Sequence, residues 1–124
     1  MKKLKATVLR SLLFLLLPLG AMAQGYSGYN WYFGNSTQAI RFSRSDNSPT
    51  LDNKTPMNTG GSAVASSQLN GDLLFYTDGV TIYDASNATI PGATGLPGDP
   101  AGNQPVVIAK RPGSDTKYYS INCL

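Results

Sequence analysis

Beyond the first two dozen residues, apolar positions come in short β-type runs separated by Asn-Gly, Asp-Gly and Pro-Gly pairs, with no helical period of useful length. That pattern predicts an all-β fold. The clearest stretch runs from Ser62 to Ala85, where Asn70-Gly71 and Asp78-Gly79 have the composition of two-residue hairpin turns. They predict a meander of three antiparallel strands over 62–69, 72–77 and 80–85. Such turns fix the register: Thr77 opposite Val80, Phe75 opposite Ile82 and Leu73 opposite Asp84, then Ser67 opposite Leu74 and Ala65 opposite Tyr76. One face would carry Val64, Leu73, Phe75, Val80 and Ile82. The other would carry Ala63, Ala65, Leu69, Leu74, Tyr76 and Tyr83. Both are largely apolar, whereas an antiparallel sheet with one wet face alternates apolar and polar. The meander is therefore expected to be covered on both sides.

Further strands are expected at Trp31–Phe33, Ala39–Ser43, Val106–Ala109 and Lys117–Asn122, with loops at 44–61 and 86–104. The second loop carries Pro91-Gly92, Gly95, Pro97-Gly98 and Pro100, which argues against regular structure. Aromatic pairs recur at Tyr32-Phe33, Phe75-Tyr76 and Tyr118-Tyr119, a spacing of 43 residues each time. Gly28 aligns with Gly71, Asp72 with Asp115 and Val64 with Val107 at the same spacing. A period of about 40 to 45 residues suits one four-stranded propeller blade. The small-residue run Ser62–Ser67 would suit an innermost strand. The expected fold is thus all-β, with partial β-propeller-like repeats amounting to about two blades.

Residues 1–23 have the three parts of a secretory signal peptide in order. Lys2, Lys3, Lys5 and Arg10 form a basic start, Leu12–Leu19 an apolar core, and Ala21-Met22-Ala23 a small-x-small site that places cleavage before Gln24. The apolar run is far shorter than the roughly twenty residues that span a bilayer. Two regions follow: a signal peptide over 1–23 and an incomplete repeat module over 24–124. The expected location is secreted or cell-surface, with no membrane span after cleavage.

Removing the signal changes the charge balance. Of ten basic residues four leave with it, so the mature chain sets six against seven acidic ones. The basic isoelectric point belongs to the targeting segment and gives no footing to nucleic-acid binding. The chain has no His and no Glu, which excludes Ser-His-Asp and Cys-His nucleophile systems and His-based zinc sites within it. Cys123, the only cysteine, cannot form an internal disulfide.

Candidate sites are few. Asp72 and Asp84 would be diagonal neighbours about 5 to 8 Å apart in the expected register, a spacing that paired glycosidase carboxylates use. Turn chemistry explains both better. Trp31 and Tyr32, with Tyr26 and Tyr29 close by, could stack on sugars, although strand core is the commoner role of such residues. Asn35-Ser36-Thr37, Asn53-Lys54-Thr55 and Asn87-Ala88-Thr89 fit the N-glycosylation pattern. The aspartates do not follow a calcium-loop spacing. No catalytic, cofactor or metal residue is assigned.

Asn30-Trp31-Tyr32-Phe33-Gly34-Asn35 with Ile40-Arg41-Phe42 resembles the amino-terminal opening of large secreted, gliding-motility-associated proteins of Bacteroidetes. Leu69–Val80, Gly95-Leu96-Pro97-Gly98, Gln104, Arg111-Pro112-Gly113 and Tyr118-Tyr119 resemble their following motifs. In that family propeller-like repeats precede further domains, and a type IX secretion sorting domain ends the protein. The resemblance implies a non-enzymatic exported module linked to gliding or adhesion. Its expected partners are the rest of a parent protein, other cell-surface components and glycans. A carbohydrate-active propeller enzyme, or a small carbohydrate-binding β-domain, is the alternative. The chain ends at Leu124 without a sorting domain. It is therefore expected to be a fragment, marginally stable or associating when alone, because propellers need about four blades or more.

Overall fold

In the computed structural model the described residues are 28–57, 59–67 and 70–123. The signal peptide, its cleavage site at Ala21, Ala23 and Gln24, and Tyr26 lie outside them. All regular structure among the described residues is β, with no helix. Nine strands form three antiparallel sheets in chain order. The first joins β1 (Asn30–Tyr32), β2 (Ala39–Phe42) and β3 (Pro49–Asp52). The second joins β4 (Ala63–Ser66), β5 (Leu73–Thr77), β6 (Thr81–Asp84) and β7 (Thr89–Thr94). The third pairs β8 (Val106–Lys110) with β9 (Tyr118–Asn122).

The middle sheet is covered on both faces. Tyr32 of the first sheet stacks on Tyr76, with ring centroids 4.0 Å apart. Phe75, the residue before Tyr76 and so on the opposite face, meets Tyr118 of the third sheet edge to face at 5.3 Å. Met57, Leu73 and Tyr76 form the buried core, with Tyr32, Val64 and Tyr83 packed against it. β4 is the strand that contacts both neighbouring sheets, through β1 and β8. Its small side chains permit that approach. Gly34 permits another, since a Cβ there would overlap the Gly60 carbonyl, and the neighbouring Asn35 N–H donates to Thr59 O at 2.6 Å.

Both expected hairpin turns differ from the structure. At Asp78-Gly79 the register is displaced by two residues: Thr77 pairs with Ile82 and Phe75 with Asp84. The cause is an Asx turn, in which the Asp78 carboxylate accepts the N–H groups of Val80 (2.9 Å) and Thr81 (2.7 Å) and opens the loop. A displacement of two keeps every side chain of β6 on its face. At Asn70-Gly71 the loop closes instead between Ser67 and Asp72, whose backbones bond at 2.8 Å. Ala65 then pairs with Phe75 rather than Tyr76, and Val64 pairs with Tyr76. That displacement of one exchanges faces, so Ala63 and Ala65 join Phe75 while Val64 joins Tyr76.

A β-bulge explains the fate of the two leucines. Ala65 pairs with Phe75 but Ser66 pairs with Leu73, leaving Leu74 as the extra residue. The bulge swings Leu73 onto the Tyr76 face, where it is buried, and leaves Leu74 exposed. The expected grouping of Leu73 with Phe75 and of Leu74 with Tyr76 is reversed.

The expected loops also contain strands. β3 lies within 44–61 and β7 within 86–104. β7 runs through Pro91-Gly92 because it is the edge strand of its sheet, where a missing N–H leaves no ladder bond unmade. Gly92 has a positive φ of 75°, and the register against β6 shifts between Thr81 and Tyr83.

The 43-residue spacing is expressed only in part. Tyr32 and Phe75 each point towards the next sheet, whereas Tyr118 points back to Phe75. Phe75 sits opposite Ala65, in mid-strand, but Tyr118 sits opposite Lys110 at the turn end of its hairpin. Tyr32, opposite Ala39, likewise closes its hairpin, so the three aromatic pairs do not occupy equivalent places in their sheets.

Candidate functional site

The carboxylates have structural work. Asp84 Oδ1 accepts from Ser86 N (2.8 Å), Ser86 Oγ (2.6 Å) and Ala88 N (3.0 Å). The Ser86 hydroxyl and these backbone donors hold its carboxyl below the usual carboxylate range. Asp46, Asp52 and Asp99 likewise each accept an N–H two residues on. Lys110 Nζ donates to Asp115 at 2.7 Å, which lowers the Asp115 carboxyl.

Asp72 and Asp84 are not the diagonal pair that the expected register implied. With Asp84 opposite Phe75, Asp72 lies three residues back, just ahead of the first residue of β5. It turns instead to Asn70, whose Nδ2 donates to it at 2.6 Å, and to the Arg44 guanidinium at 3.6 Å.

Trp31 and Tyr32 are separated by the pleat. The Tyr32 ring is taken up by Tyr76, and burial there raises its hydroxyl's pKa. Trp31 lies on the outer face, 52% exposed, in an edge contact with Phe42 and with its indole N–H donating to Gly28 O at 2.7 Å. No single surface combines the two rings. Tyr29 donates its hydroxyl to Asn47 at 2.7 Å. Of the three Asn-x-Thr sites, Asn87 accepts the Tyr76 hydroxyl at 2.7 Å.

A cleft of about 740 Å³ opens where the β2–β3 hairpin meets the start of β5. Arg41, Phe42 and Arg44 form one wall; Gly71, Asp72 and Leu73 form the other. Buried Asn30 ties the walls together by donating from Nδ2 to Gly71 O at 2.8 Å. Arg44 Nη1 donates to Asn70 O at 3.0 Å, and Arg41 lies 3.8 Å from Asp52. Both guanidinium groups are about half exposed. Nothing in the sequence pattern singles out these residues, because Arg41 and Arg44 lie 31 and 28 positions from Asp72 and are brought to it by the sheet contact. Among the described residues no group of three or more Cys or Asp side chains could hold a metal. Likewise, no helix among them is long and apolar enough to cross a membrane. No known protein family, curated protein or solved structure matches the chain.

Proposed function

We propose that the chain is an exported, non-enzymatic β-repeat module that serves as a packing or adhesion unit of a secreted or cell-surface protein. The observation that carries this reading is the middle sheet clasped on both faces, Tyr76 against Tyr32 and Phe75 against Tyr118. Stacked sheets of this kind are what a propeller-like repeat requires. The 43-residue spacing of the three aromatic pairs in the sequence supports a repeat of blade length. Turn and surface roles for the carboxylates support a scaffold over an acid–base catalyst. The gliding link comes from the sequence resemblance and the export link from the signal pattern at 1–23.

Fractionation of the native host, with the chain followed by antibody, tests the proposal together with deletion of its gene. Recovery in the surface or medium fraction and impaired adhesion or spreading on deletion are expected. A cytoplasmic location, or hydrolytic activity of the purified chain on glycans, would overturn it.

A further inference from the structure

We infer that the chain assembles head to tail with copies of itself, the outer face of the first sheet packing on the outer face of the third sheet of the next copy. The inference rests on the reading of the chain as a packing unit and deepens it by naming the partner. Strand pairing sets both faces. Trp31, Ile40 and Leu51 lie abreast across β1, β2 and β3. Alternation puts them on the side away from Tyr32, whose ring packs on the middle sheet. On the third sheet Val107 pairs with Ile121 and Ala109 with Tyr119. These four lie on the side away from Tyr118, which meets Phe75. Trp31, Leu51, Tyr119 and Ile121 are each more than half exposed. None of the seven side chains is ionised, so pressing one face on the other strands no charge.

A second copy fits because it continues the contacts that the chain already makes. Each sheet-to-sheet contact within the chain sets an aromatic ring of one sheet against a ring of the next. The outer faces offer the same pairing, Trp31 on one and Tyr119 on the other. Charge fixes the direction. Arg111 and Lys117 close the β8–β9 hairpin, with the Arg111 N–H donating to Lys117 O at 2.9 Å. Both are exposed, and neither forms an ion pair among the described residues. Asp46, exposed in the β2–β3 turn, also has no ion pair among them. The two turns share one end of the stack. Arg44 of the β2–β3 turn meets Asn70 and Asp72 of the β4–β5 loop. β8 in turn starts beside the start of β4, where a Cβ on Gly61 would overlap the Asn103 carbonyl. A copy added in the same orientation therefore brings its Asp46 to the end that carries Arg111 and Lys117. Because the two faces differ, the contact is heterologous and repeats from copy to copy, giving rings or open chains.

The test is sedimentation velocity of the purified chain over a concentration series, with the single variants Leu51→Lys and Ile121→Lys run alone and mixed one to one. The unchanged chain is expected to associate with rising concentration. Each single variant should self-associate about tenfold more weakly or worse, because one of the two faces is blocked in every copy. The mixture should recover a dimer and stop there, since each variant supplies the face that the other lacks. Both positions are more than half exposed, and an unchanged unfolding midpoint verifies the fold of each variant. Leu51→Gln with Ile121→Gln repeats the experiment if either lysine lowers the midpoint. An unchanged chain that stays monomeric throughout, a single variant that associates as the unchanged chain does, or a mixture that stays monomeric would each overturn the inference. The second and third of these outcomes are what pairing of like faces, or of strand edges, would give. Export and the absence of hydrolytic activity are read by separate assays, so the failure of this contact and the failure of the module reading are distinguishable.

Discussion

Tyr76 is the residue on which most of the packing converges. It is fully buried, stacks on Tyr32 at 4.0 Å and on Tyr83 at 5.2 Å, and donates its hydroxyl to Asn87 at 2.7 Å. Tyr76→Ala is expected to cost about 3 to 5 kcal/mol, and Tyr76→Phe about 1 kcal/mol by leaving Asn87 short of a partner, as read by denaturant unfolding. Burial raises the pKa of Tyr76, Tyr32 and Tyr83 above the ordinary tyrosine value. The unfolded chain ionises these tyrosines first, so their contribution is complete below about pH 10 and is lost as pH rises above it. Phenolate absorbance from these three tyrosines should therefore rise together with loss of β circular dichroism. Early ionisation of all tyrosines in a still-folded chain would contradict the packing. The lowered carboxyls of Asp46, Asp84 and Asp115 act at the other end. Their contribution is present above the ordinary carboxylate value and is lost as pH falls through their lowered folded values. The melting temperature should thus fall below about pH 4. A core role for the tyrosines was legible in the sequence, since alternation puts Tyr76 on an apolar face. Its bond to Asn87 was not, because it depends on how the turn after β6 curls back.

At the scale of elements, the strands from 62 to 85 and their antiparallel order were legible from apolar runs and turn pairs. The registers were not. Asp78-Gly79 and Asn70-Gly71 both have the composition of two-residue turns. Yet the Asp78 carboxylate captures two N–H groups and widens its loop, and the other loop closes at Ser67 and Asp72. Side-chain competition of this kind leaves no mark on composition. The bulge at Leu74 makes a sharp prediction. Leu73→Ala is expected to cost about 2 to 4 kcal/mol, whereas Leu74→Asp should change stability by about 0.5 kcal/mol or less, as measured in the same unfolding assay. A regular strand in the expected register would bring Leu74 to the Tyr76 face and reverse the order. β7 escaped prediction for a related reason: Pro91-Gly92 reads as a loop unless the strand is known to lie at an edge. The cleft was equally hidden, since Arg41, Arg44 and Asp72 meet only through the contact between two sheets.

At the scale of the whole molecule, the three sheets leave apolar side chains on the two outermost faces: Trp31 and Leu51 on the first sheet, Val107, Tyr119 and Ile121 on the third. Leu51→Lys combined with Ile121→Lys is expected to reduce concentration-dependent association in sedimentation velocity, while the unfolding midpoint stays nearly constant. The middle sheet is clasped on both faces by its neighbours. Nuclear Overhauser contacts between aromatic ring protons test it most directly. Tyr32–Tyr76 and Phe75–Tyr118 cross-peaks are expected in the same sample, alongside the cross-strand contacts of each sheet, since the ring centroids are 4.0 and 5.3 Å apart. Intact cross-strand contacts with either ring pair missing would contradict it, leaving three sheets that fold without packing together.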